Sequence, residues 1–264
     1  MNLSHSNLKT LVIHLDDPST YFLHKIYERK ENMDVINNAS KFTTETLKEK
    51  MKEYDRILLL GHGCPDGLFN NRNGIEGVHF VVDGTFSEIL SKKDVVAVFC
   101  NADLFLAKFK IKASFYSGMF ISEVSEARGY DIFASEGEIE FSNYLFSSLL
   151  GLTLNMDPVE RIDLVKESYV SETSLVIDVN RNWLYSENTG GNTRLKKLKQ
   201  IYFSFYDQMD EPEKTKAKIR FDIVHAISYP EPRKISDAIM SGFLWNKFTN
   251  EGFEYWKKVS DKYA

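Results

Sequence analysis

Arg56-Ile57-Leu58-Leu59-Leu60-Gly61-His62-Gly63 and Asp94-Val95-Val96-Ala97-Val98-Phe99-Cys100 are two short apolar runs, each ending on a side chain capable of acid–base or nucleophilic chemistry. Consecutive aliphatic and β-branched residues, without the alternation of a half-exposed strand, mark parallel strands covered on both faces. In an open parallel sheet the loops at the carboxyl ends of the strands form the site. These two runs therefore predict an α/β fold and place His62 and Cys100 where its chemistry would sit.

Working outward, Leu8 to Leu15 reads as a first strand, and Asp16-Asp17-Pro18-Ser19 caps a helix from about Thr20 to Glu31. A short strand near Val35-Ile36 and a helix from about Thr44 to Tyr54 lead into the His62 strand. The stretch from Cys64 to Gly74 is dense in turn formers and precedes an alternating strand, Val78 to Val82. Together they predict a hairpin projecting over the sheet edge. Thr85-Phe86-Ser87-Glu88 has the capping-box pattern for a helix to about Lys92 that feeds the Cys100 strand. A helix from about Ala102 to Lys108 and a strand from Ser114 to Ile121 follow. Next come a capped helix from Ser135 to about Leu150, a helix from about Val159 to Tyr169 and a strand from about Ser174 to Val179. The polar joint Glu187 to Asn192 separates an α/β domain, 1–188, from a helical C-terminal segment, 189–264, whose last helix is rich in aromatic residues. That segment either packs back on the domain or binds a protein partner.

A thiol becomes a strong nucleophile only as a thiolate, and an imidazole within hydrogen-bond reach can take its proton and later return it to a leaving group. Cys100 and His62 are the candidate pair. The glycines flanking His62 let backbone approach a ligand closely, and the Gly63 amide can face it. Asn101-Ala102-Asp103 reads as a capped helix start whose free amides would favour a thiolate or a developing oxyanion. The bland alternative is that Cys100 is a buried apolar filler and His62 a satisfied polar group. Cys64 is a rival nucleophile with poorer aim. A zinc site from His62, Cys64, Cys100 and His79 lacks the usual paired spacing. Gly61-His62-Gly63 lacks the lysine of a phosphate loop and the third glycine of a dinucleotide fingerprint.

An apolar strand ending in His-Gly, followed by a later apolar strand ending in Cys, resembles the caspase-like cysteine peptidases, a clan that includes caspases, legumain, gingipain, clostripain and separase. The resemblance covers roughly residues 8 to 180 and implies a three-layer caspase-like sandwich with a mostly parallel sheet. The chain departs from the clan at the nucleophile, with Phe99 where a small residue is frequent and Asn101-Ala102-Asp103 where Gly or Ser is frequent. By resemblance Cys100 is the nucleophile, His62 the general base and acid, and the amides of Gly63 and Cys100 the oxyanion donors. The strand after the nucleophile then lines the specificity pocket, making Ser122 and Glu123 substrate contacts, with Glu123 drawing a basic side chain. Asp66, in the hairpin, is a further expected substrate contact. The expected activity is a cysteine endopeptidase with a Cys/His dyad and no metal or cofactor, acting on peptides or proteins after basic residues. The alternative is a catalytically inactive member of the fold that serves as a protein-interaction module.

Composition narrows the classes further. Forty-three per cent hydrophobic and 27% charged residues over 264 positions describe a globular protein with one sizeable core. Thirty-three basic against 38 acidic residues, in no long block of one sign, argue against a nucleic-acid partner. No apolar run approaches the length of a membrane span and the first residues carry no export signal, so the cytoplasm is the expected compartment. Two cysteines, Cys64 and Cys100, suit a reducing environment and exclude a disulfide scaffold.

Overall fold

Fully buried apolar runs form the strands of the central sheet, as their unbroken hydrophobicity requires. The computed structural model describes residues 8–28, 30–70, 79–130, 132–171 and 173–186. All of these but Gly129 and Tyr130 belong to one unit. In chain order its strands are β1 (Thr10–His14), β2 (Met33–Ile36), β3 (Arg56–Leu60), β4 (Gly63–Cys64), β5 (Gly67–Asn70), β6 (His79–Asp83), β7 (Asp94–Val98), β8 (Phe115–Ser117) and β9 (Leu184–Tyr185). The helices are α1 (Thr44–Lys52), α2 (Ser87–Leu90), α3 (Ala102–Phe109), α4 (Val124–Gly129), α5 (Glu136–Thr153), α6 (Pro158–Ser168) and α7 (Leu175–Asn182). The main sheet has the order β2-β1-β3-β7-β8-β9, and β4-β5-β6 form a separate antiparallel sheet. Every pairing in the main sheet is parallel except that of β8 with β9.

Alternate strand residues feed two cores. Leu11, Ile13, Ile57, Leu59, Val95 and Ala97 pack with Leu47 and Met51 of α1 and Phe105 and Leu106 of α3. Val12, Leu58, Leu60, Val96 and Val98 pack with Phe146 and Leu150 of α5, Ile162 and Val165 of α6 and Ile177 of α7. This mixed α/β arrangement, with its mostly parallel sheet covered on both faces, is consistent with a caspase-like fold. Among the described residues no helix is long and apolar enough to cross a membrane.

Several elements differ from expectation for identifiable reasons. The helix expected from Thr20 is a 3-10 segment, Pro18–Ile26, opened by Pro18 and capped by Asp17, whose carboxylate accepts from the Ser19 amide. Its buried residues, Thr20, Leu23 and Ile26, recur every third position, the period of a 3-10 helix. It also passes so close to α5 that a Cβ on Gly151 would lie 2.9 Å from the Lys25 carbonyl oxygen. The strand expected at 174–179 is helix α7. Its β-branched residues suggest a strand, but Val176, Ile177 and Asn180 are its buried positions, which is a helical spacing. The expected helix from Thr85 to Lys92 is a 3-10 turn, Gly84–Phe86, followed by α2, and Asp83 caps it by accepting from the Thr85 amide. The strand expected to run to Ile121 ends at Ser117, whose hydroxyl donates to the Phe99 carbonyl and accepts from the Phe99 amide. That exchange replaces the next rung of the ladder. Beyond it, the Ile121 amide and carbonyl are both held by the side chain of Asn180. The expected joint at 187–192 and the helical segment beyond it lie outside the described residues.

Candidate functional site

From β1 the order of the sheet steps outward to β2 on one side, and from β3 it steps through β7 and β8 on the other. The reversal falls between β1 and β3, and a crevice opens at the carboxyl ends of strands at such a point. The loop after β1 brings Asp17 and Ser19 to this crevice, and the end of β3 brings His62. Leu60 pairs with Val98, and the Gly61 amide donates to the Val98 carbonyl at 3.1 Å. His62 and Cys100 each lie two residues past that pair, at the same edge of neighbouring strands. Gly61 makes the exit from β3 with φ +135°, a conformation that L side chains rarely adopt.

His62 is held on several sides. Its Nε2 is 2.7 Å from Ser19 Oγ and 3.5 Å from Asp17 Oδ2. The Phe69 ring lies nearly parallel to the imidazole, with centroids 6.3 Å apart, and the Phe69 amide donates to the His62 carbonyl at 3.0 Å. The side chains of His62 and Asp17 keep 21% and 17% of their exposure, so solvent or a ligand reaches them.

Cys100 is half-buried as a residue, and its Sγ donates to the Phe120 carbonyl at 3.8 Å. Burial of the sulfur pushes the thiol up to about 12, and the Glu126 carboxylate adds to the rise, while the Phe120 contact opposes it. Glu126 accepts from the Ser122 amide at 2.7 Å, the Ser122 hydroxyl at 3.1 Å and the Glu123 amide at 3.2 Å. Its burial nevertheless raises the Glu126 carboxyl above the usual range. No hydrogen bond joins Cys100 to His62 among the described residues. The chain leaves Cys100 through Asn101, which has left-handed backbone angles (φ 63°, ψ 31°) and starts α3 without a side-chain cap. The capped helix start expected there is therefore a sharp backbone turn, fixed by the Asn101 amide donating to the Gly118 carbonyl at 3.0 Å.

Gly63 has a structural reason to be glycine: a Cβ there would lie 2.1 Å from Cδ2 of Phe99. Because His62 and Phe69 are a hydrogen-bonded pair, the adjacent Gly63–Leu68 pair is the non-bonded kind, and the Gly63 N–H points away from β5. Ser122 and Glu123 line a cleft of about 660 Å³ together with Ser19, Glu136 and Glu140. The cleft thus borders the hydroxyl that contacts His62. Asp66 lies apart from it, in an ion pair with Lys108 of α3. Cys64 accepts from the Asp66 amide at 3.4 Å. Among the described residues no group of three or more His, Cys, Asp or Glu side chains is arranged to hold a metal ion, so His62, Cys64, Cys100 and His79 do not converge.

Sequence reading missed Asp17 and Ser19 as neighbours of His62, and Glu126 as a neighbour of Cys100. Asp17 carried a signal, but a capping signal, and it does cap the 3-10 segment; its second contact is long-range. Searches of known protein-family models and of curated proteins found no match to this chain.

Proposed function

We propose that this chain is a cysteine endopeptidase of the caspase-like type. The observation that carries the reading is the β3–β7 register, which delivers an imidazole and a thiol to the same edge of the sheet from neighbouring strands. In this reading the described arrangement is the resting state, with the Cys100 thiol on the Phe120 carbonyl. A bound peptide shifts the thiol toward His62. The thiol proton passes to the imidazole, and the sulfur bonds to the peptide carbonyl carbon as the carbonyl electron pair moves to oxygen. The amides of Gly63 and Cys100 receive that oxyanion. The intermediate collapses, the amine leaves with the proton from the imidazolium, and a thioester remains. His62 then takes a proton from water as the hydroxyl oxygen attacks the thioester, and returns it to the departing sulfur. The acidic cleft beside Ser19 supports a preference for a basic side chain before the cut, with Glu123 as its partner.

The test is covalent labelling of the full chain by an electrophilic peptide probe carrying Arg or Lys. Labelling is expected in the wild type and in Cys64→Ala, and is expected to vanish in Cys100→Ala, with circular dichroism confirming the fold. Labelling that survives Cys100→Ala rejects the assignment. A second reading, an inactive interaction module, is favoured by one observation: burial beside Glu126 keeps the Cys100 thiol protonated at neutral pH. That reading expects no labelling and no turnover of any peptide library.

A further inference from the structure

We infer that Asp17 and Ser19 are a positioning pair that fixes the tautomer of His62, placing the proton on Nε2 and the lone pair on Nδ1. The inference rests on the proposed role of His62 as general base and deepens it.

The bookkeeping of protons forces the assignment. Ser19 Oγ lies 2.8 Å from Asp17 Oδ1 and 2.7 Å from His62 Nε2. A serine hydroxyl has one proton and two lone pairs, whereas an ionised carboxylate only accepts. The hydroxyl proton therefore goes to Asp17 Oδ1, since otherwise two acceptor oxygens would face each other at 2.8 Å. The Ser19 oxygen is then an acceptor toward His62, and the short contact is made by an Nε2–H donor. A neutral imidazole with its proton on Nε2 has its basic lone pair on Nδ1.

The pair is rigid before any substrate arrives. Asp17 Oδ1 also accepts from the Ser19 amide at 3.0 Å, and Pro18 between them fixes the backbone of the turn. Oδ2 of the same carboxylate is the atom 3.5 Å from Nε2. When the ring takes the thiol proton on Nδ1 and becomes an imidazolium, the Nε2–H stays on Ser19 with a carboxylate behind it. No proton needs to move to Asp17, and no group needs to reorient. The same 3-10 segment orients a second imidazole nearby: the Thr20 carbonyl is 3.1 Å from His14 Nε2, and a carbonyl can only accept. His14 uses its other nitrogen to accept from the Tyr27 hydroxyl at 2.8 Å, so both its ring positions are committed. Among the described residues His62 has one such commitment, on Nε2, which leaves Nδ1 for chemistry.

Two measurements on the ¹⁵N-labelled full chain test this. Two-bond ¹H–¹⁵N correlation near neutral pH, with the His62 signals identified by their loss in His62→Gln, is expected to show one tautomer, Nε2–H. Ser19→Thr keeps that pattern and Ser19→Ala gives a mixture of tautomers. On a peptide substrate, Ser19→Ala and Asp17→Asn are expected to lower kcat by about 10²-fold while KM changes by less than about threefold, and Ser19→Thr restores most of the rate. An Nδ1–H tautomer in the wild type, or an unaltered tautomer and kcat in Ser19→Ala, overturns the inference. So does a raised KM with unchanged kcat, which would make Ser19 only a wall of the cleft. The spectroscopic arm does not require turnover, so the pair stands or falls separately from the peptidase reading, which is judged by the Cys100→Ala labelling.

Discussion

The two ends of the parallel sheet carry polar groups in opposite ways. At the amino end Arg56, the first residue of β3, is fully buried, with its Nε donating to Asp94 Oδ2 at 2.7 Å and its Nη1 to Asn155 Oδ1 at 2.8 Å. Arg161, also fully buried, donates to the carbonyls of Thr153, Leu154 and Met156 and to the Ser114 hydroxyl. Burial lowers Arg161 to about 10, with Asp94 pulling the other way. Burial also pushes the Asp94 carboxyl up, but Arg56, the Ser114 hydroxyl and Arg161 together outweigh that and hold it below the usual range. At the carboxyl end His62, Asp17 and Glu123 stay partly exposed, and the Cys100 sulfur makes a long contact with the Phe120 carbonyl. The lesson is that buried charge held by partners builds the scaffold, even though Nη2 of Arg56 has no hydrogen-bond partner among the described residues, while polar groups that solvent reaches mark where chemistry is available.

The largest effect is expected at the amino end. Arg56→Ala leaves the largely buried Asp94 carboxylate without its cation and is expected to cost about 3–5 kcal/mol in urea unfolding, while probe labelling per folded molecule stays at the wild-type level. A cost below about 1 kcal/mol would deny that this edge is structural. A smaller effect is expected from His14, which lies at the carboxyl end but is committed on both ring nitrogens. Burial lowers it from 6.5 to about 4, so the unfolded chain binds a proton that the folded chain refuses. Its contribution to stability is therefore intact above about pH 6.5 and is lost as pH falls toward 4. His14→Gln should flatten the wild-type decline over that window in denaturant melts, and an unchanged slope would contradict the assignment. The smallest effect sharpens the other side. Glu123→Gln should reduce selectivity for Arg or Lys before the cut by about 2- to 10-fold in a peptide library, without altering stability.

How much of this was legible in the sequence depends on the range of the interaction involved. The two apolar runs read correctly as strands because a strand buried on both faces needs no information from elsewhere in the chain, and their register puts His62 and Cys100 at one edge of the sheet. The capping box at Ser135 read correctly for the same local reason. Asp17 and Ser19 did not, because an Asp-Pro-Ser turn is already explained by capping and nothing local reports an imidazole 43 residues away from Ser19. Glu126 was hidden in α4, an element too short to show a period. Ser174 to Val179 misled because β-branched residues favour strands locally, and the two bonds from Asn180 to Ile121 belong to tertiary structure.

The bond from Arg56 to Asn155 spans 99 residues of chain. A nascent polypeptide that has emerged only as far as β8 holds a guanidinium in its central strand with Asp94 beside it and Asn155 not yet synthesised. Contacts of such separation make folding slow, because the loop must close before they contribute. The sheet is therefore expected to consolidate only once the turn after α5 has cleared the ribosome, and truncations ending before residue 155 should remain unfolded even where β1 to β8 are all present.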